Sequence, residues 1–275
     1  MPFDSADLLH PYSRLTPDVV LDSLASIGFE GDGRLLALNS YENRVYQVGV
    51  EDGPPLVVKF YRPGRWSDAA IVEEHRFVQA LAEDEIPVAP PLASRGGATL
   101  HRHSDFRFAV FARRGGRSPE LDDRETLEWI GRFVGRIHAV GARQDYVHRP
   151  KLDIQSFGEE PREFLLANDF IPADLLLAWS SVVDHALQRV RRCFESAGDV
   201  HALRLHGDCH ASNILWTPVG SQAGGGPHFV DFDDSRMGPA IQDLWMLLSG
   251  PRDEMTAQLA DLLRGYCQEQ MSCPV

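Results

Sequence analysis

The run His206-Gly207-Asp208-Cys209-His210-Ala211-Ser212-Asn213 sets a carboxylate and a carboxamide in one short loop, and a further carboxylate, Asp231, follows the segment His228-Phe229-Val230. Phosphoryl transfer needs such parts. One carboxylate must orient or deprotonate an attacking hydroxyl, and other oxygens must hold a hard divalent cation against the phosphates. Asp208 fits the first role. Asn213 and Asp231 fit the second, one with a neutral oxygen and one with a charged oxygen. His206, Asp208 and His210 also read as possible metal ligands, but no further His or Cys cluster completes a zinc site. His206 is better placed to orient the loop by hydrogen bonding. Lys59 lies in the apolar stretch Val57-Val58-Lys59-Phe60-Tyr61. Burying an unpaired ammonium is costly, so a partnered, functional lysine is expected there. Of Asp233 and Asp234, one reads as a supporting group and the other as surface. Cys209 reads as a buried, inert thiol.

These residues need elements to position them. Ile214-Leu215-Trp216 and His228-Phe229-Val230 read as two strands joined through a loop containing Gly224-Gly225-Gly226, a hairpin that brings Asn213 and Asp231 together. Upstream, Thr16-Pro17-Asp18 is a helix start with a hydroxyl cap and proline at the first helical position. Leu35–Leu38, Arg44–Val48 and Leu56–Tyr61 read as strands, with a turn at Glu51-Asp52-Gly53. A helix is expected from about Ser67 to Leu81, with Ile71, Glu74, Val78 and Leu81 on one face. Thr99–His101 and Phe106–Phe111 read as two more strands. Arg113-Arg114-Gly115-Gly116 breaks this pattern and marks a boundary between a sheet-based lobe, 1–112, and a mainly helical lobe, 113–275. In the second lobe Leu127, Ile130, Val134 and Ile137 line one helix. Leu176, Trp179, Val183, Leu187, Val190 and Phe194 line another, and both stripes are expected to be core.

The H-G-D-x-x-x-x-N run followed by Val230-Asp231-Phe232-Asp233-Asp234 resembles the aminoglycoside phosphotransferase and choline kinase superfamily. Leu38–Tyr46, Val57–Pro63 and Gln242-Asp243-Leu244-Trp245-Met246-Leu247 resemble its stress response kinase A (YihE/RdoA-type) family, and the resemblance runs from about Leu15 to about Tyr266. It implies an α+β, bilobal protein-kinase-like fold: a small antiparallel-sheet N-lobe with one helix and a larger, mainly helical C-lobe. It implies serine/threonine protein kinase activity in a bacterial stress response, with ATP as substrate, Mg2+ as cofactor and a cytoplasmic location. By position, Asp208 is then the catalytic base, and Asn213 and Asp231 hold magnesium. Lys59 contacts the ATP α- and β-phosphates, with Glu74 as its helix partner and Glu73 as the second choice. Residues 39–43 form the turn over the phosphates, where Ser40 and Asn43 are contact candidates in place of a G-x-G-x-x-G loop. Ser40 is also a candidate to accept phosphate in cis. Phe111 and Ala112 lie beside adenine, and Asp243 braces the catalytic loop. Family members continue for several helices beyond the position of Tyr266, and a shorter C-terminus leaves an apolar face of the C-lobe uncovered.

Composition narrows the partners. With 27 Lys and Arg against 40 Asp and Glu, the formal net charge is −13. That argues against general nucleic-acid binding, and it means that anionic ATP must be met by local cations. No apolar run approaches a membrane span. Met1 to Leu15 lacks the basic start and apolar middle of a leader. The four cysteines form no C-x-x-C pair, which suits a reducing compartment. The expected partners are ATP and a protein acceptor, with no nucleic acid and no membrane, and the chain is expected to be a monomer. Two other readings stand beside this one: a small-molecule phosphotransferase acting on an aminoglycoside-, choline- or homoserine-like acceptor, and a non-catalytic nucleotide-binding protein.

Overall fold

The computed structural model describes residues 11–218, 220 and 225–268. Most of the opening segment, the loop tip with Gly224 and the chain end at 269–275 lie outside the described residues. The first elements in chain order are α1 (Pro17–Ala25), β1 (Gly31–Leu38), β2 (Arg44–Val50), β3 (Leu56–Phe60), α2 (Asp68–Glu83), β4 (His101–His103) and β5 (Phe106–Ala112). There follow α3 (Arg124–Gly141), α4 (Glu160–Ala167), α5 (Leu176–Ala197), β6 (Leu203–Arg204), β7 (Ile214–Thr217), β8 (Gly226–Phe229), β9 (Met237–Gly238), α6 (Ile241–Trp245) and α7 (Arg252–Tyr266). Packing divides the chain into two compact units, Met1–Glu120 with Ala211–Asp233, and Leu121–His210 with Asp234–Val275.

The first unit is built on a five-stranded antiparallel sheet of order β1-β2-β3-β5-β4. Successive side chains of a strand point to opposite faces. Val58 and Phe60 of β3 therefore join Val20 and Leu24 of α1 in one core. The alternate residues Val57 and Lys59 look the other way. On that side Ile71 of α2 packs with Tyr61 and Ala109. Burying a side chain such as Phe60 contributes about 1.5–3 kcal/mol, which fixes the register and with it the face that Lys59 occupies. Both helices start as read from the sequence. Thr16 Oγ1 accepts from Val19 N, and Ser67 Oγ accepts from Ala70 N at 3.1 Å.

The β7–β8 hairpin belongs to this same unit. Phe229 N donates to Pro87 O at 2.8 Å, and Arg117 and Trp216 exchange backbone hydrogen bonds of 3.0 and 2.7 Å. This grouping differs from a cut at 112/113. Residues 113–120 run beside β7, and Gly116 leaves its Cα against Leu215, where a Cβ would collide.

In the second unit α3 and α7 cross on glycines. A Cβ at Gly131 would meet the Leu262 carbonyl, and one at Gly265 would meet that of Glu128. Leu127, Ile130, Val134 and Ile137 are buried as expected. The α5 stripe is not. Trp179, Val183 and Leu187 are only half-buried, and Leu176, Val190 and Phe194 are exposed. Periodicity shows that a helix has an apolar face. Burial requires a second element against that face; among the described residues Gly158 lies against Leu187, while Leu176, Val190 and Phe194 stay exposed.

Candidate functional site

A cavity of about 410 Å³ opens within the first unit. One wall is the sheet face set by strand alternation, with Val45, Val57, Lys59 and Phe111. Others come from Glu74 and Val78 of α2 and from Asn213, Leu215, Val230 and Asp231 around the hairpin. Six of the residues singled out from the sequence thus meet in one space: Lys59, Glu74, Phe111, Ala112, Asn213 and Asp231. The hairpin makes the last pair adjacent. Ile214 pairs with Phe229, and Val230 N donates to Asn213 O at 3.0 Å, so Asn213 and Asp231 come together although 18 positions apart in the chain. Asp231 takes a left-handed φ of 62°, a conformation uncommon for a residue other than glycine.

Lys59 is the electrostatic centre. Its Nζ lies 2.6 Å from Asp231 Oδ1 and 3.4 Å from Asp233 Oδ1. Burial pulls the ammonium's pKa down, but Asp231, Asp233, Glu74 and Tyr61 outweigh it and hold the value well above that of an ordinary lysine. Glu74 is buried on the cavity wall, whereas Glu73 is half-buried and off it. Asn39 also lines the cavity, but Ser40 and Asn43 do not. Ser40 Oγ donates to Asn43 O at 2.9 Å, and Asn43 Oδ1 accepts from Arg62 N at 3.1 Å, so both hold the turn in shape.

One group was left open between two neighbours in the sequence, and another was passed over. Asp233 is buried against Lys59, and Arg65 pairs with it at 3.0 Å. The signal for Asp233 was its place two residues after Asp231. Nothing local marked Arg65.

Asp208 lies in the second unit, in a loop held by Asp243. Asp243 Oδ2 accepts from His206 N at 2.7 Å, and Oδ1 accepts from Gly207 N at 2.8 Å. His138 Nε2 stands 3.0 Å from Oδ2, and His138 Nδ1 lies 2.9 Å from the Tyr266 hydroxyl. Burial pushes the Asp243 pKa up, yet His138, His206 and the Gly207 N–H outweigh it and keep the carboxyl below its usual range. His206 Nδ1 accepts from Asp208 N at 3.3 Å, the loop-orienting role expected of it. Gly207 has φ 88°, and a Cβ there would strike the Asp234 carbonyl. Cys209 is fully buried, and burial raises its thiol pKa well above normal.

A carboxamide oxygen at Asn213 and a carboxylate at Asp231 on one cavity wall are the hard donors that a magnesium ion takes. Among the described residues no group of three or more His, Cys, Asp and Glu forms a site for a softer metal.

The model of the phosphotransferase enzyme family matches residues 34–273. Stress response kinase A of Escherichia coli O157:H7 is 45% identical over 93% of this chain and 75% of its own length. A Salmonella typhimurium LT2 relative named serine/threonine protein kinase RdoA is 44% identical over the same shares. Among solved structures, an amicoumacin kinase in complex with AMP-PNP, Ca2+ and amicoumacin aligns with a TM-score of 0.76, at 20% identity, over 98% of this chain and 81% of that one. At that identity the likeness shows the fold, and it is the kinase-like α+β fold anticipated from the sequence. The chain belongs to the phosphotransferase enzyme family, and within it to the stress response kinase A group.

Proposed function

We propose that this phosphotransferase moves the γ-phosphoryl group of MgATP to a serine or threonine hydroxyl of a protein, in the cytoplasm and as part of a stress response. The observation that carries the reading is the meeting of Lys59, Asn213 and Asp231 on one cavity of nucleotide size. The apolar residues Leu38, Val45, Val57 and Leu215 suit a purine, and Lys59 suits the α- and β-phosphates. Asn213 and Asp231 would hold magnesium, which neutralises charge on the β- and γ-phosphates when bound. Asp208 accepts the hydroxyl proton as attack begins. The protein's share of the rate comes from positioning and charge compensation rather than from covalent chemistry.

The name of the Salmonella relative favours a protein acceptor. Structural neighbours named as amicoumacin and aminopropanol kinases keep a small-molecule acceptor as the alternative. The test is transfer from labelled ATP by the wild type and Asp208→Ala, with a generic protein acceptor and, separately, a panel of small hydroxyl compounds. A labelled protein band that disappears in Asp208→Ala supports the reading. Label on small compounds alone moves the acceptor class, and undiminished turnover by Asp208→Ala removes the base.

A further inference from the structure

The cluster around Lys59 holds more negative than positive charge. One ammonium faces Asp231 and Asp233 directly, with Glu74 near enough to raise its pKa. The two aspartates differ in their access to water. The Asp231 side chain is 48% exposed, and that of Asp233 only 5%. A buried carboxylate needs its cation nearby, because desolvation otherwise costs more than a shared pairing returns. Arg65 supplies a second cation, with Nη1 3.0 Å from Asp233 Oδ2. The same nitrogen stands 3.9 Å from Glu42 Oε2, and that carboxylate also takes Arg62 at 2.6 Å. Glu42 belongs to the turn 39–43, whose Asn39 lines the cavity, whereas Arg65 and Asp233 do not line it.

We propose that Arg65 is a positioning residue that shares Asp233 with Lys59, taking the other oxygen of the carboxylate, so that the ammonium can leave the acids for a bound phosphate. The proposal rests on the nucleotide reading given above. To grip a phosphate, Lys59 must exchange carboxylate oxygens for phosphate oxygens, and every carboxylate without another cation opposes that exchange. Asp231, half exposed, can turn to water or to a cation accompanying the phosphates. Asp233 is buried away from water, and Arg65 is a second cation within reach of it. A guanidinium suits the task because it stays charged at all working pH values and can serve two carboxylates from one planar head. Its link to Glu42 ties the phosphate turn to the acids beneath Lys59.

Calorimetric titration with a non-hydrolysable ATP analogue and Mg2+ tests this on the full chain, with melting curves reporting folding separately. Arg65→Met is expected to weaken nucleotide affinity about tenfold, the size of a direct coupling in an ion network, and Arg65→Lys to restore most of it. Asp233→Asn removes the competitor, so Arg65→Met added to it should change affinity little. Equal weakening by Arg65→Met in both backgrounds overturns the proposal, as does wild-type affinity in Arg65→Met. If Arg65→Met does not fold, Asp233→Asn with and without Arg65→Lys carries the comparison, and a loss on Arg65→Lys that persists in the Asp233→Asn background overturns it. Wild-type protein that takes no nucleotide overturns the functional reading itself, a result separable from either of these.

Discussion

Both carboxylate oxygens of Asp243 are committed to the loop that carries Asp208, and His138 sits against the same carboxylate with no access to solvent. Asp243→Asn should therefore destabilise the protein by about 3 kcal/mol, the usual cost of removing one partner from a buried pair, measured by urea titration. The pH dependence has a definite sign. The folded pKa of Asp243 lies below its unfolded value of about 3.9. Its contribution is thus complete above roughly pH 4 and fades as pH falls toward the folded value. Melting curves between pH 3 and 6 should show a shallower acid decline in Asp243→Asn than in the wild type; equal slopes would remove Asp243 as the cause. Lys59 has the opposite sign. Its raised pKa makes its ionic contribution complete below about pH 10.4 and lost only as pH rises through a still higher folded value. Lys59→Met should cost about 3 kcal/mol at pH 7, because it removes the buried cation that faces Asp233 and Glu74. His206, Lys59 and Glu74 were legible because each stands in a local pattern: an H-G-D run, an apolar strand or a helix face; Asp243 was legible only through the family resemblance of residues 242–247. Arg65 was not, because its meaning comes from Asp233, which lies far along the chain and reaches it only through folding.

At the scale of elements, the hairpin β7–β8 and the strand β3 carry the site because their registers are set by cores they share with other elements. Strand alternation and turn residues announce such registers in the sequence. The α3–α7 crossing is announced less clearly, since a glycine inside a helix reads as a weakness. Here Gly131 and Gly265 let two backbones touch, each beneath a carbonyl of the other helix. On propensity alone Gly131→Ala would stabilise a helix by about 0.8–1 kcal/mol. The crossing reverses the sign, and a net loss of about 1–3 kcal/mol is expected from forcing the helices apart. Denaturant unfolding decides between them, and a stabilised Gly131→Ala would contradict the close crossing. The exposed α5 stripe shows the complementary failure of sequence reading. An apolar periodicity is a property of one helix, and whether it becomes core depends on a partner that the helix does not encode.

At the scale of the whole molecule, the net charge of −13 and the three acids around Lys59 set the terms on which an anion can bind. Free ATP brings additional negative charge toward Asp231 and Glu74, and Lys59 alone cannot balance it. Binding should therefore depend on the divalent cation far more than on Lys59's own attraction for phosphate. A ligand present at one hundred times its Kd stabilises by about 2.7 kcal/mol. For units of this size that raises Tm by roughly 5–10 °C. The expected outcome is a shift of that order with ATP and Mg2+ together, and little or none with ATP and EDTA. Asp231→Ala should lose the magnesium-dependent part, because it removes the only charged ligand proposed for the ion. Asp208→Ala should keep the shift while losing transfer, because the task proposed for it begins with the acceptor. A shift that survives EDTA unchanged would mean that Lys59 grips phosphate without help, and that the acids around it serve the fold rather than the reaction.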